Sequence, residues 1–407
     1  MNCRHCNNPL KHVFCDLQTC PPSNAMVKSD ELNHPEMYFP LKVFICESCW
    51  LVQVDEIQKA ESIFNNEYTY FSSYSSTWLA HAKEYANEMI DRFGFNQDSL
   101  VIEIASNDGY LLQYFKEKNI PVLGIEPTAN TAEVAKEKGI NTVVDFFSKN
   151  LAEVQLKGKA DLILGNNVLA HVPDINNFVN GVKIALKSNG VNTFEFPHLC
   201  KLVQFNQFDT IYHEHFSYLS FTALKSVFEK QGLEFFDVQE LSTHGGSLRI
   251  FTKHIEDKTK EISSSVADLI KKEKDMGIDN LAYYEGFQNK VDSIKNDFLS
   301  FLIEENKKGK KIIGYGAAAK GNTLLNYCGI KGEDLIQFVV DKSPHKQNNF
   351  LPGSRIPVLD EKYIKDFRPN YVIIFPWNLK EEICKQLSYI KEWDGKFVVA
   401  IPELTIF

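Results

Sequence analysis

The chain has 407 residues, 44% hydrophobic and 24% charged, with a formal net charge of -9. That length exceeds what one hydrophobic core usually organises, so several domains are expected. The acidic balance and the scattered lysines argue against a nucleic-acid polymer as partner. No run approaches the about 18 apolar residues of a membrane span, and Met1 to Cys6 lacks a signal-peptide core, so a cytoplasmic protein without a membrane partner is expected.

The N-terminal segment carries two Cys-x-x-Cys pairs, Cys3-Cys6 and Cys46-Cys49. Each pair can direct two thiolates at one tetrahedral ion, and zinc is the natural occupant. Four thiolates leave no open position on the metal, so the zinc is expected to be structural, supplying folding free energy to a segment poor in large apolar residues. Cys15 and Cys20 read as small buried side chains in a loop. Cys200, Cys328 and Cys384 read as packing residues, and a redox role for the pairs lacks the expected βαβ context.

From Ser99 to Leu112 a short apolar strand passes through Ala105-Ser106-Asn107-Asp108-Gly109 into a helix start. Glycine tolerates positive φ, and Asn and Asp cap the helix, so the backbone can pass close to a ligand. A second buried strand, from Pro121, ends in Glu126, about twenty residues on, where an acid can accept from both ribose hydroxyls of a nucleoside. Val143 to Phe146 and Ala160 to Asn167 continue the alternation, which predicts one doubly wound α/β domain. The turn lacks G-x-G-x-x-G, which disfavours a nicotinamide cofactor. Gly232 to Val238 and Ser247 to Phe251 read as an antiparallel edge.

Residues 255 to 300 read as solvated linking helices. A second strand, Gly-rich turn and helix follow at Lys310 to Gly321, with further strands at Ile336 to Asp341 and Tyr371 to Phe375. This Rossmann-like half could cradle a diphosphate with Lys320 as counter-charge, or merely buttress the first domain. Lys346, Trp377 and Asn378 are further candidate contacts.

Tyr212-His213-Glu214-His215 places a base, a carboxylate to orient it and a phenol within four residues. Histidine titrates near neutrality and suits proton abstraction. A metal site is the alternative, but the helical spacing of His-Glu-x-x-His is missing.

The ordered set of these motifs resembles the nucleotide-sugar C-methyltransferase family. It comprises the two cysteine pairs, Tyr68-Thr69-Tyr70 to Tyr74, Glu103 to Leu112, Asn166 to Asp174 around His171, and Ile211 to Ser220. It continues in His244 to Arg249, Gly314 to Gly321, and Lys346 to Gly353. The resemblance implies a zinc-binding domain over residues 1–70, a class I S-adenosylmethionine methyltransferase domain over 71–254 and a Rossmann-like sugar-nucleotide-binding domain over 255–407. It implies that Glu103, Ala105, Asn107, Asp108, Gly109, Glu126, Asp145, Phe146 and Asn166 hold S-adenosylmethionine. His215 is implied as base, with Tyr212, Glu214, His171 and Tyr70 around the sugar and His244, Lys320 and Lys346 binding substrate. Ala105 departs from the glycine usual in methyltransferase turns.

The reaction so implied is methylation of carbon 3 of a nucleotide-linked 4-keto-6-deoxy sugar through a base-generated enolate, by a monomer. The competing readings are an O- or N-methyltransferase and a nicotinamide-dependent sugar reductase.

Overall fold

The computed structural model describes residues 1–64 and 70–407; Tyr68 and Thr69 of the tyrosine-rich motif lie outside the described residues. Packing divides the chain into two units. One comprises Met1–Lys11, Ile45–Leu199 and Phe216–Tyr283, the other His12–Phe44, Cys200–His215 and Tyr284–Phe407. The units interleave along the chain, whereas the segments 1–70, 71–254 and 255–407 are consecutive.

The first unit is built on seven strands: β1 (Val101–Ile104), β2 (Val122–Ile125), β3 (Thr142–Val143), β4 (Ala160–Asn166), β5 (Leu186–Pro197), β6 (Leu233–Leu241) and β7 (Ser247–His254). Their order is β6-β7-β5-β4-β1-β2-β3. β1 pairs in parallel with β2 and β4, whereas β7 is antiparallel to both β5 and β6. All four residues of β1 are buried, as a strand covered on both faces requires. Alternation sends Val101 into one layer with Tyr85, Met89 and Phe115, and Ile102 and Ile104 into the other with Ile125, Val179 and Leu224.

The expected antiparallel pair is present, but β7 is interior because it also bonds β5; only β6 lies at the margin. Asp145 and Phe146 fall beyond β3, which has two residues.

Helix α1 (Ser76–Phe93) precedes the sheet. The Ser75 side chain accepts from the Trp78 N–H, and Gly94, at φ 69°, ends the helix. Its buried residues Ala82, Tyr85, Ala86 and Met89 follow the three-and-four spacing of one helical face.

The second unit carries β8 (Ile312–Tyr315), β9 (Val339–Val340), β10 (Val358–Leu359), β11 (Tyr371–Ile374), β12 (Lys396–Val399) and β13 (Thr405–Ile406), in the order β10-β9-β8-β11-β12-β13. All neighbours are parallel except β12 and β13. The expected Rossmann-like half is thus formed, with strands 336–341 and 371–375 trimmed to their buried centres.

Cys15 and Cys20 lie on a strand, His12–Cys20, rather than a loop. Both are buried, which raises both thiols, Cys20 to about 12. Buried, protonated thiols are poor metal ligands and nucleophiles. Among the described residues, no helix is long and apolar enough to cross a membrane.

Candidate functional site

In the first unit Cys3, Cys6, Cys46 and Cys49 bring their sulfurs within 4.8 Å of one another. The Cys3–Cys49 and Cys6–Cys46 sulfur separations are each 3.5 Å, close to the about 3.8 Å edge of a tetrahedron with zinc–sulfur bonds near 2.3 Å. The two knuckles have the same local design. Asn7 and Trp50, each at positive φ, donate their N–H to the Cys3 and Cys46 carbonyls, and Cys3 and Cys46 donate to Asn8 and Leu51.

The Gln53 amide donates to Cys3 Sγ at 3.2 Å, an outer contact that stabilises thiolate. The Cys3 thiol is held below its ordinary value, first by the hydrogen bond from Cys49 and despite burial. The donor set fits zinc, held by four sulfurs with no position for substrate.

The turn after β1 is shaped by three left-handed residues, Ala105 (φ 55°), Asn107 (φ 48°) and Gly109 (φ 75°). A Cβ on Gly109 would stand 2.4 Å from Ile140 Cδ1, a side-chain tip that would have to turn aside, and the left-handed backbone adds the conformational reason for glycine. Glu126, at the end of β2, accepts from the Asn107 N–H at 2.8 Å and from the Thr128 N–H at 2.9 Å, with the Thr128 hydroxyl as a further donor. Oε2 therefore keeps acceptor capacity for a ribose hydroxyl.

Glu103 is wholly buried, with the Tyr110 hydroxyl and the Leu112 N–H beside its carboxylate; among the described residues, Asp108 Oδ1 is buried without a hydrogen-bond partner. Burial, then the nearby Asp108 and Glu126, pushes the Glu103 carboxyl well above its ordinary range. Buried acidic groups gathered beyond β1 and β2, beside the point where the sheet order reverses, with a spare acceptor on Asp108, fit a polar and partly cationic ligand such as S-adenosylmethionine.

Asn107 also ties down the tyrosine-rich segment. Its amide donates to the Tyr70 carbonyl at 3.1 Å and accepts from the Ser72 N–H at 2.9 Å. Tyr70 is thereby placed beside the turn, with 46% of the residue exposed. Lys138, which the sequence reading did not select, donates to the Asp108 carbonyl at 2.7 Å and to Ser73 at 2.9 Å.

His171 closes a short turn of helix, Leu169–His171, just past β4, and meets the Phe64 ring edge-on. His244, at φ 53°, accepts from the Asn167 amide at 2.7 Å and packs against Trp78. Asp145 is exposed and caps the Phe146 N–H.

The remaining candidates belong to the second unit. There His215 Nδ1 lies 2.8 Å from the Thr210 carbonyl, and its ring centroid is 4.0 Å from that of Tyr212. A carbonyl only accepts, so Nδ1 carries the proton and Nε2 is the basic nitrogen. The group fixing this tautomer is the backbone of Thr210; the Glu214 carboxylate holds the Asn24 amide, at 2.6 Å. Burial raises Glu214 to about 7, against the Asn24 bond and the Lys346 charge. His213 is 3.2 Å from the Pro40 carbonyl and pushed down by burial, a packed neutral ring.

The Gly-rich turn after β8 stands beside this loop. Thr323 donates to the Ile211 carbonyl at 2.9 Å, and Lys346 to the Ala317 carbonyl at 2.8 Å. Lys320 donates to Asn378 at 2.8 Å and lies over Trp377; burial lowers it to about 8, opposed by Asp209. Asp341, ending β9, accepts from the Ala317 N–H at 2.7 Å and the Ser343 N–H at 2.8 Å. That repeats the pattern of Glu126, which accepts from the preceding turn and from the residue two positions on. An acid closing the Val339-Val340 strand was the signal available in the sequence.

A sheet ordered 6-7-5-4-1-2-3, with a glycine turn after its first strand and an acid at the tip of its second, defines a class I S-adenosylmethionine-dependent methyltransferase. Comparison with known proteins narrows the class. The chain matches families described as a zinc binding domain over residues 3–64, a methyltransferase domain over 78–238 and a C-methyltransferase C-terminal domain over 242–402. It is 32% identical over 403 residues to C-methyltransferase NovU of Streptomyces niveus, covering 98% of this chain and 95% of that relative.

A shorter match, 25% identical over 157 residues, is to malonyl-(acyl-carrier protein) O-methyltransferase of Acetivibrio thermocellus, covering 37% of this chain and 52% of that one. Among solved structures, geranyl diphosphate C-methyltransferase of Streptomyces coelicolor A3(2) is 12% identical, with a TM-score of 0.35, covering 44% of this chain and 83% of that one. The PH0226 protein of Pyrococcus horikoshii OT3 is 12% identical, with a TM-score of 0.38, covering 46% and 95% respectively. The chain belongs to the C-methyltransferase family, and it is an S-adenosylmethionine-dependent enzyme with a zinc-binding segment.

Proposed function

We propose that the carbon methylated is carbon 3 of a nucleotide-linked 4-keto-6-deoxy sugar, reached through an enolate. The observation that supports this most is the Thr210 carbonyl fixing His215 with Nε2 as its basic nitrogen. Carbon becomes a nucleophile only when a proton is removed beside a carbonyl, and a neutral imidazole of fixed tautomer suits that step. The sugar class rests on the ordered motifs that resemble nucleotide-sugar C-methyltransferases.

In this reading His215 Nε2 takes the proton from carbon 3, and the electron pair of that bond becomes the enolate of the neighbouring ketone. The Tyr212 hydroxyl donates to the enolate oxygen as charge develops there. The resemblance assigns Tyr70 and His171 to the sugar, and Lys320 and Lys346 to its phosphates. The methyl donor, held by the turn after β1, supplies an already activated methyl group when bound. Glu103, Asn107, Asp108, Glu126 and Asn166 fix its orientation, and the gain is largely proximity.

The test incubates the zinc-loaded protein with S-adenosylmethionine and a panel of nucleotide-linked 4-keto-6-deoxy sugars. A mass gain of one methylene with a methyl signal on carbon 3 is expected. In deuterated water, His215→Asn should abolish exchange of the carbon 3 proton. A methyl appearing on oxygen or nitrogen overturns the proposal.

A further inference from the structure

Within the first unit, His81, which the proposed reaction does not use, is held by a buried carboxylate. Glu195, on β5 near its carboxyl end, is fully buried. It accepts from His81 Nε2 at 2.8 Å, Arg249 Nη2 at 2.8 Å and the Thr243 hydroxyl at 2.8 Å. Burial alone would push this carboxyl up, but the His81 bond and the Arg249 charge outweigh it and hold it at about 2. Arg249 is in turn bonded to Glu88 and Gln239. The assembly is therefore charged, and each Glu195 oxygen accepts from at least two donors.

An ionised carboxylate cannot donate, so His81 Nε2 must carry the proton, even though an Arg249 nitrogen also lies 3.3 Å away. One face of the imidazole is covered by Trp78, whose ring is stacked at 5.1 Å. Trp78 also stacks on Tyr110, the residue after Gly109 of the cofactor turn, and meets His244 edge-on. The three rings Tyr110, Trp78 and His81 thus form a ladder running from the cofactor turn to the end of β5. In doubly wound sheets ligands bind outside the carboxyl ends of the strands, and this ladder walls that space. The His81 side chain keeps 18% of its surface exposed. With Nε2 engaged, the ring's remaining polar atom is Nδ1, which accepts in the neutral imidazole.

We infer that His81 is a specificity-determining residue of the acceptor site, its Nδ1 accepting a hydrogen bond from a hydroxyl of the methyl acceptor. Glu195, braced by Arg249, is the positioning residue that fixes the ring and its tautomer. That the hydroxyl belongs to a sugar rests on the function proposed above.

Two amide substitutions separate this role from a structural one. Asn places an oxygen where Nδ1 stands and loses the bond to Glu195, whereas Gln reaches Glu195 and lacks the Nδ1 acceptor. With the nucleotide-linked 4-keto-6-deoxy sugar that the wild type turns over, His81→Gln should raise the acceptor KM about 5–10-fold, and His81→Asn about 2-fold or less. Calorimetry should find the S-adenosylmethionine Kd little changed in both. The reverse order of KM, or no change in either variant, overturns the inference.

The tautomer is read separately by nitrogen-15 NMR of the wild-type protein with S-adenosylmethionine alone. If no such sugar is turned over, the proposed function fails and this measurement decides for His81. A proton on Nε2 with a bare Nδ1 supports the inference, and a proton on Nδ1 overturns it.

Discussion

The backbone N–H of Asn107 and the carboxylate of Glu126 are joined at 2.8 Å, tying the turn after the first strand to the tip of the second. The bond would couple cofactor geometry to backbone geometry, because the carboxylate that shapes the turn is the one proposed to meet a ribose. Glu126→Gln would set an amide donor or a weaker acceptor against that N–H. Leaving a buried donor unsatisfied costs about 1–3 kcal/mol. S-adenosylmethionine Kd is therefore expected to rise by about 10–100-fold, with a fall in melting temperature, measured by calorimetry and thermal scanning.

Ala105 stands at φ 55°, where an L residue with a Cβ is strained by about 1–2 kcal/mol. Ala105→Gly relieves that strain and adds about 0.5–1 kcal/mol of unfolded-state entropy in opposition. A net stabilisation of about 0.5–1 kcal/mol is expected, visible as a higher melting temperature by scanning calorimetry with methyl transfer retained. A fall in melting temperature would show that the Ala105 methyl is needed for packing.

Much of this site was legible because its parts are local in sequence. Strand, turn and acid follow one another from Val101 to Glu126, and each cysteine knuckle is four residues long. What escaped were partners brought together by tertiary contacts. Glu195 meets His81 across 114 positions and Arg249 across 54. Glu214 meets Asn24 across 190. No periodicity or spacing rule reaches that far, which is why Glu214 reads in the sequence as the partner of its neighbour His215 while its carboxylate binds an asparagine near the N-terminus. The strand through Cys15 was hidden for another reason. Its burial pattern places Phe14 and Cys15 inward together, so it lacks the alternation that marks a half-buried strand.

The zinc segment should be folded by its metal. One zinc per chain is expected from elemental analysis, and Cys3→Ser should lower that stoichiometry well below one. Cys3, Cys46 and Cys49 are packed in the same core as Leu51 and Phe221. Metal removal by a strong chelator should therefore lower the melting temperature of the first unit by several degrees, reversed on adding zinc. Inactivation by a chelator without a change in melting temperature would instead point to a catalytic ion.

Glu214 and Asp209 should make the second unit less stable as the solution becomes less acidic. Burial raises the first to about 7 and the second to about 6, so the native state holds protons that the unfolded chain has already released near pH 4. Because the unfolded state then binds fewer protons, the slope of unfolding free energy with pH is negative from about pH 4 to about 7, and flat above. For Glu214, the rise to about 7 corresponds to an effect on the order of 3 kcal/mol across that window. Glu214→Gln removes one of the two titrations while keeping an oxygen for the Asn24 amide. Denaturation followed from pH 5 to 8 should show a shallower decline for the variant, and the variant should be the more stable protein at pH 8. Equal slopes would mean that Glu214 titrates like an exposed carboxyl, and the cost of burying its charge would have to be met by groups other than Asn24 and Lys346.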